Sequence, residues 1–253
     1  MTQPSAKIPA VAAIPNEDLR RIPSRERLIF ALDVPDLDAA KTLVTRLGDT
    51  VAFYKIGLEL ATSGQYFELM RWLIDRDKKV FADLKLYDIP ATVAAAVRQL
   101  AKTGASFLTV HGERTIMSAA AAEKGLHLKI LAVTVLTSFA ESDLKAMGIG
   151  LSLAELAELR AREAAEAGCD GVIASGLEAS RLRNVLGEAR LIVTPGIRPA
   201  GNTGRDDQRR VVTPTRAFES GADYIVVGRP IRDAADPYQA AAAIQAEIAA
   251  VFG

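Results

Sequence analysis

From Arg27 onward, short apolar runs rich in Val, Ile, Leu and Phe alternate with longer stretches in which apolar residues return every three or four positions. The runs are RLIFALD (27–33), VAFYKIG (51–57), KVFADLK (79–85), SFLTVHG (106–112), KILAVTVL (129–136), GVIAS (171–175), RLIVTPG (190–196) and DYIVVGR (223–229). Each has the length of a strand, and a nearly continuous apolar run is the pattern of a strand buried on both faces. Between them lie segments such as DLDAAKTLVTRLG, TVAAAVRQLAKTG and SLAELAELRAREAAEAG, whose spacing is helical. Several of these end on a glycine just past the last periodic residue (Gly48, Gly104, Gly168, Gly221), where a left-handed C-cap costs least.

The repeating unit is therefore βα, and it occurs eight times between residue 27 and the C-terminus. Strand-helix alternation predicts a parallel sheet covered by helices, and eight units predict an α/β fold of the single (β/α)8 TIM-barrel type spanning residues 25–253. The rival, a doubly wound open sheet, carries a glycine-rich fingerprint after its first strand. Here that position reads ALDVPDLD. Residues 1–24 stand outside the repeat and are expected to form a flexible or loosely docked extension, with a helix-like part at 16–21 lying across one end of the barrel.

Composition narrows the classes of function more than it names one. Of 253 residues, 49% are hydrophobic and 25% charged, the balance of a folded domain with a large core. Lys plus Arg and Asp plus Glu both number 31, so no global field draws the chain to nucleic acid or to an anionic membrane. No segment reaches the roughly 18 apolar residues of a membrane span, and the N-terminus lacks the continuous apolar core of a signal peptide. The lone cysteine, Cys169, suits a reducing compartment and is expected to be structural, since its neighbours are small or acidic. A cytoplasmic location is the expectation.

In a (β/α)8 barrel, chemistry belongs at the C-terminal ends of the strands and in the loops that follow. Asp33, Lys55, Asp83, Lys85, Asp88, His111, Thr137, Ser138, Arg198 and Arg229 fall there, and the opposite strand ends are expected to carry nothing comparable. Asp83 and Lys85 are two apart, so their side chains share the interior face while Leu84 points away. Asp88 follows, with Pro90 at the start of the next helix, where its missing N–H costs nothing. Alone, DxKxxD reads equally well as a structural ion-pair cluster. Lys55 and Asp33 add two more charges to the same rim, however, and desolvating five ionisable groups is hard to justify by stability.

The motifs FALDVP, YKIGLEL, FADLKLYDIPATV, VTVLTS, VTPGIRP, RDDQRRVVTP and YIVVGRPI, in this order over roughly residues 27 to 240, resemble the orotidine 5′-phosphate decarboxylase family, in its bacterial form. The resemblance implies decarboxylation of orotidine 5′-monophosphate to UMP and carbon dioxide, the last step of pyrimidine nucleotide synthesis, with no cofactor and no metal. It implies Lys85 as the cation beside the C6 carbanion and as the proton donor, and Asp83 beside the departing carboxylate. Lys55 and Asp88 complete an alternating charged chain, and Asp33 and Lys55 serve the ribose hydroxyls. Thr137 and Ser138 are implied at the pyrimidine edge, though hydroxyls there also cap strand ends. Arg198, Gln208, Gly228 and Arg229 are implied at the phosphate, in keeping with the usual phosphate position after strands seven and eight.

The resemblance further implies a homodimer in which Asp88 and Thr92 reach the neighbouring subunit's site. The loop PAGNTGRDDQRR is long and polar, as a closing lid should be, and departs from the family's usual Gly-Asp-Gln by carrying Asp206 before Asp207. His111 is expected to be a wall residue and His127 to be structural, with no zinc site. Magnesium-dependent sugar-phosphate decarboxylases and aldol-type synthases share the DxKxxD strand but place a glutamate where this chain has Lys55, and a lysine there repels a cation. A non-catalytic nucleotide-binding barrel is the remaining alternative.

Overall fold

A computed structural model describes residues 22–199 and 210–253. Among them, β1 (Leu28–Ala31), β2 (Phe53–Ile56), β3 (Lys79–Leu86), β4 (Phe107–His111), β5 (Lys129–Val133), β6 (Gly171–Ile173), β7 (Leu191–Thr194) and β8 (Tyr224–Val227) form a closed barrel in sequence order. Every neighbouring pair is parallel, and β8 closes onto β1 with Leu28 opposite Ile225. The outer layer comprises α1 (Leu37–Leu47), α2 (Leu58–Thr62), α3 (Tyr66–Ile74), α4 (Pro90–Leu100), α5 (Arg114–Glu123), α6 (Glu141–Ala146), α7 (Leu153–Glu166), α8 (Ala179–Leu186), α9 (Pro214–Glu219), α10 (Arg229–Arg232) and α11 (Pro237–Phe252). The eight-unit TIM barrel expected from the repeat is the fold of the chain. Most of the proposed N-terminal extension, residues 1–21, lies outside the described residues, as does the 200–209 stretch of the proposed lid.

Local signals set the helix limits. Asp36 caps α1 by accepting from the Ala39 N–H at 2.8 Å, and Ser152 and Glu155 form a reciprocal capping box at α7. Pro90 opens α4 as its first residue. The four glycines at the ends of helical units, Gly48, Gly104, Gly168 and Gly221, all have positive φ, from 54° to 97°.

Strand parity divides the core in two. Phe30, Tyr54, Val80 and Leu108 face outward against the helices, whereas Ile29, Phe53, Phe81, Phe107, Leu131, Leu191 and Tyr224 fill the barrel interior. Phe107 is the hub of that interior layer, with ring centroids 4.9 Å from Phe53, 5.9 Å from Phe81 and 5.2 Å from Tyr224. This aromatic layer closes the barrel from below, so any cavity must open at the C-terminal ends of the strands.

Two expectations are corrected. All strands but β3 stop earlier than their apolar runs: Asp33 lies beyond β1, Thr137 and Ser138 lie in the loop after β5, and Gly228 and Arg229 cap and begin α10 instead of ending β8. The N-terminal strand ends are also charged. Asp170 accepts from the Ile130 N–H at 2.8 Å and pairs with Lys124 at 2.7 Å, and Asp223 accepts from the Ile192 N–H at 2.8 Å and pairs with Arg183 at 2.6 Å. Those carboxylates cap backbone donors that the staggered strand ends leave unpaired.

Candidate active site

A cavity of ≈ 540 Å³ opens at the C-terminal mouth. It brings together Asp33, Lys55, Asp83, Lys85, Thr137, Ser138, Arg198, Gly228 and Arg229, contributed from the loop after β1 round to the start of α10. Phe81 forms part of its floor.

Four of these residues form an alternating chain of charge. Lys55 Nζ lies 3.2 Å from Asp33 Oδ1 and 3.2 Å from Asp83 Oδ2, and Lys85 Nζ lies 2.8 Å from Asp83 Oδ1. Parity explains the inner members: Lys55 follows Phe53, and Asp83 follows Phe81, on inward-facing positions. Burial works against the ionised form of Asp83, but Lys55, Lys85 and a hydrogen bond from Thr109 outweigh it and hold the carboxyl below its usual range. Burial likewise disfavours the Lys55 ammonium, and Asp83 and Asp33 overcome it, raising its pKa above the ordinary lysine value. The pair is therefore charged throughout the neutral range.

Lys85 reaches the cavity by a route that simple alternation does not describe. The β3–β4 ladder pairs Ala82 with Leu108 and next pairs Leu86 with Val110, so four residues of advance on β3 face two on β4. Within this bulge Lys85 has φ 48°, a left-handed conformation that costs a non-glycine residue about 1–3 kcal/mol.

Asp88 and Thr92 are not part of this cavity. Asp88 is exposed, with Oδ1 accepting from the Ile89 N–H at 2.6 Å, and Thr92 is exposed on the first turn of α4. Beside them Tyr87 and Ile89 present 64% and 66% of their surface. Gln208 lies outside the described residues. His111 ends β4 and stacks against Tyr87 with centroids 4.7 Å apart, while Glu113 approaches its Nδ1 at 3.9 Å. Burial, with lesser contributions from Arg160 and Lys85, lowers the pKa of His111 despite Glu113. His127 is exposed in the turn before β5. Cys169 is buried, and burial pushes its thiol up to about 12, consistent with an inert structural residue.

The cavity also contains groups that sequence reasoning did not single out. Arg232 lines it, donating from Nη1 to the Asp33 carbonyl at 2.8 Å and pairing through Nε with Asp233 at 2.6 Å, so it ties the loop after β1 to α10. Its place one helical turn after Arg229, in GRPIR, was the available signal. Arg210, immediately after the undescribed part of the loop, forms a buried ion pair with Glu178 and donates to the Leu136 carbonyl at 2.9 Å. A parallel bridge joins the two stems of that loop: the Arg198 N–H donates to the Val212 carbonyl at 2.9 Å, and the Val212 N–H to the Gly196 carbonyl at 3.2 Å.

Comparison with known proteins gives this geometry a setting. The profile of the family described as orotidine 5′-phosphate decarboxylase / HUMPS matches residues 26–244. The orotidine 5′-phosphate decarboxylase of Methylococcus capsulatus is 57% identical over 231 residues, covering 91% of this chain and 95% of that protein. That of Xanthomonas oryzae pv. oryzae is 56% identical over 231 residues with the same coverage. Among solved structures, the orotidine 5′-phosphate decarboxylase of Lactobacillus acidophilus superposes with a TM-score of 0.78 at 36% identity, covering 88% of this chain and 99% of that one.

Proposed function

The chain belongs to the orotidine 5′-phosphate decarboxylase / HUMPS family, and from that premise we propose that it converts orotidine 5′-monophosphate to UMP and carbon dioxide using its own side chains, without metal or organic cofactor. The observation that carries the proposal is the alternating Asp33–Lys55–Asp83–Lys85 chain at the cavity mouth.

The reaction breaks the bond between C6 and its carboxylate. The electron pair stays on C6, in the ring plane, where no adjacent carbonyl can take it up, and carbon dioxide leaves. A preorganised cation beside C6 is the remaining way to stabilise that charge. Lys85 supplies it, then transfers one ammonium proton to C6 and is reprotonated from solvent. Asp83 holds the Lys85 ammonium by its 2.8 Å contact and stays ionised through Lys55. It also faces the substrate carboxylate: two unit charges ~4 Å apart interact by ~4 kcal/mol at an effective dielectric of ~20, a repulsion relieved as neutral carbon dioxide forms. Asp33, less buried than Asp83, serves the ribose hydroxyls with Lys55, and Thr137 and Ser138 serve the pyrimidine edge.

Arg198, Gly228 and Arg229 would hold the phosphate through guanidinium and backbone N–H donors, with Gln208 as a further ligand, and remote binding energy from the phosphate would be spent on the chemical step. The positions of Lys55 and Lys85 support a metal-free course, since their ammonium groups already occupy the carboxylates that a divalent cation would need.

A homodimer completes the proposal. Asp88 and Thr92 are exposed and off the cavity, next to exposed Tyr87 and Ile89, which suits a role in a second subunit's site. Mixing inactive Lys85→Ala and Asp88→Ala proteins should then restore activity, because a hybrid dimer has one intact site. A cytoplasmic location accords with the buried, unpaired Cys169; among the described residues, no helix is long and apolar enough to cross a membrane.

The test is the fall in absorbance when EDTA-treated protein receives orotidine 5′-monophosphate, beside Lys85→Ala. Turnover without metal that disappears in the variant supports the decarboxylase and its proton donor together. Turnover only after Mg²⁺ is restored would move the chain to the metal-dependent reading, and binding of UMP without turnover to the non-catalytic one.

A further inference from the structure

The strand that holds the key charges is irregular at the very residues that carry them. Between the Ala82–Leu108 and Leu86–Val110 pairs, β3 contains Asp83, Leu84 and Lys85, and β4 contains only Thr109. On β4 the inward positions alternate as Phe107, Thr109 and His111, and Phe107 belongs to the aromatic layer beneath the cavity. Thr109 is the next step up. It is 1% exposed, and a hydroxyl at that depth requires partners.

A threonine hydroxyl can accept and donate at once, and this one does both across the strand gap. It accepts from the Lys85 backbone N–H at 3.0 Å and donates to Asp83 Oδ1 at 2.8 Å. The bulge removes the Lys85 N–H from regular pairing with β4, so the hydroxyl takes the place of a ladder carbonyl. Asp83 Oδ1 also receives Lys85 Nζ at 2.8 Å. Both ends of Lys85, its backbone N–H and its ammonium, are thus referenced to one ring of contacts closed by a single hydroxyl.

We infer that Thr109 is a positioning residue for the decarboxylation: its hydroxyl holds Lys85 in its left-handed backbone conformation and fixes the Asp83 oxygen that aims the Lys85 ammonium. The inference rests on the function proposed above. A methyl group in place of the hydroxyl leaves the partly buried Lys85 N–H without this acceptor and the φ of 48° without its support. It also takes one donor from Asp83, whose ionised form that donor favours. Thr109 is not among the residues lining the cavity, so its loss should act on the chemical step and not on substrate binding.

The experiment compares Thr109→Val, which keeps the shape, with Thr109→Ser, which keeps the hydroxyl, in steady-state decarboxylation of orotidine 5′-monophosphate across pH. The expected result for Thr109→Val is a fall in kcat of about 10- to 100-fold, the scale of one lost hydrogen bond to a charged group. KM should stay within about twofold, as for an interaction that matters in the transition state. The acid limb of kcat should move upward toward the ordinary carboxylate range, and Thr109→Ser should regain most of the rate.

Thr109→Val with kcat within about twofold of the unsubstituted protein, a loss confined to KM, or Thr109→Ser as impaired as Thr109→Val would each overturn the inference. If circular dichroism shows Thr109→Val unfolded, the same comparison is made between Thr109→Ser and Thr109→Ala, with the same outcomes deciding it. An unsubstituted protein that does not turn over refutes the proposed function itself; turnover that Thr109→Val leaves untouched refutes only the role of Thr109.

Discussion

Replacing Lys55 by methionine removes the central cation of the charged chain while keeping an unbranched side chain of similar length. Lys55 Nζ is 3.2 Å from Asp83 and 3.2 Å from Asp33, and its side chain is 12% exposed. At an effective dielectric of ~20, each contact is worth ~5 kcal/mol of gross attraction. The Asp33 side chain is 43% exposed, so solvent screens most of that pair. Asp83 is different: its side chain is 11% exposed, and after the substitution its side-chain partners among the described residues are Lys85 and Thr109. Removing one partner of a buried pair costs about 3–5 kcal/mol. For a domain of this size that predicts a fall in Tm of roughly 6–20 °C.

The pH dependence distinguishes this cause from a packing defect. In the unsubstituted protein the Asp83 pKa is lowered below its unfolded value, so its contribution to stability is present above that value and lost as pH falls through the folded pKa. In Lys55→Met the largest of the interactions that oppose burial is gone, so the Asp83 pKa rises relative to that of the unsubstituted protein. Ionised Asp83 then contributes less to the variant's stability, so its deficit against the unsubstituted protein should shrink as pH falls from 7 to about 4 and below. Thermal and urea unfolding at fixed protein concentration measure this. Adding Asp83→Asn should recover part of the loss, because the uncompensated anion is gone. A Tm within about 2 °C of the unsubstituted protein, or a deficit of the same size at both pH values, would refute the argument.

Further predictions are independent of that one. Arg229→Ala should lower kcat/KM for orotidine 5′-monophosphate by about 10- to 150-fold, the scale of charge-assisted hydrogen bonds, and leave the slow reaction of the unphosphorylated nucleoside unchanged; equal losses with both substrates would remove Arg229 from the phosphate site. Arg210→Met leaves Glu178 buried without its guanidinium, and burial already pushes that carboxyl above its usual range; urea unfolding should show a loss of about 3–5 kcal/mol at neutral pH, shrinking in acid. Gly171→Ala would bring a Cβ within 2.4 Å of the Leu191 carbonyl oxygen in the adjacent strand, a rigid neighbour. A drop in stability of about 1–3 kcal/mol is expected, and an unchanged Tm would show that β6 and β7 can separate more readily than the barrel closure suggests.

The barrel was legible in the chain because burial on both faces leaves near-continuous apolar runs, and because parity within them places Lys55 and Asp83 inward beside Phe53 and Phe81. The limits of the strands were not. The run after β5 continues as Thr134, Val135 and Leu136, and nothing in its composition ends it. It ends because Arg160 takes the Thr134 carbonyl at 2.7 Å and Arg210 takes the Leu136 carbonyl at 2.9 Å, so these acceptors leave the ladder. Both arginines come from distant segments, beyond the reach of any local pattern. The Lys85 bulge was hidden for a related reason: a lysine at φ 48° has no glycine or asparagine to announce it, and its support, Thr109, arrives from the next strand.

The expectation that charge would mark only one rim failed in an instructive way. Asp170 and Asp223 at the N-terminal rim lie as close to their basic partners as anything at the other end. What differs is how their acceptor capacity is used. Each of those carboxylates is engaged by a strand N–H and by a basic side chain on the barrel's outer shell, so it completes the fold. At the C-terminal rim, Asp33, Lys55, Asp83 and Lys85 are satisfied chiefly by one another, around a cavity lined by all four. A chain of charges that stabilises itself and faces open volume holds a fixed field where a substrate can enter. The single hydroxyl that ties it to the backbone, Thr109, belongs to neither kind of rim, and its removal is the change that separates the field from the fold.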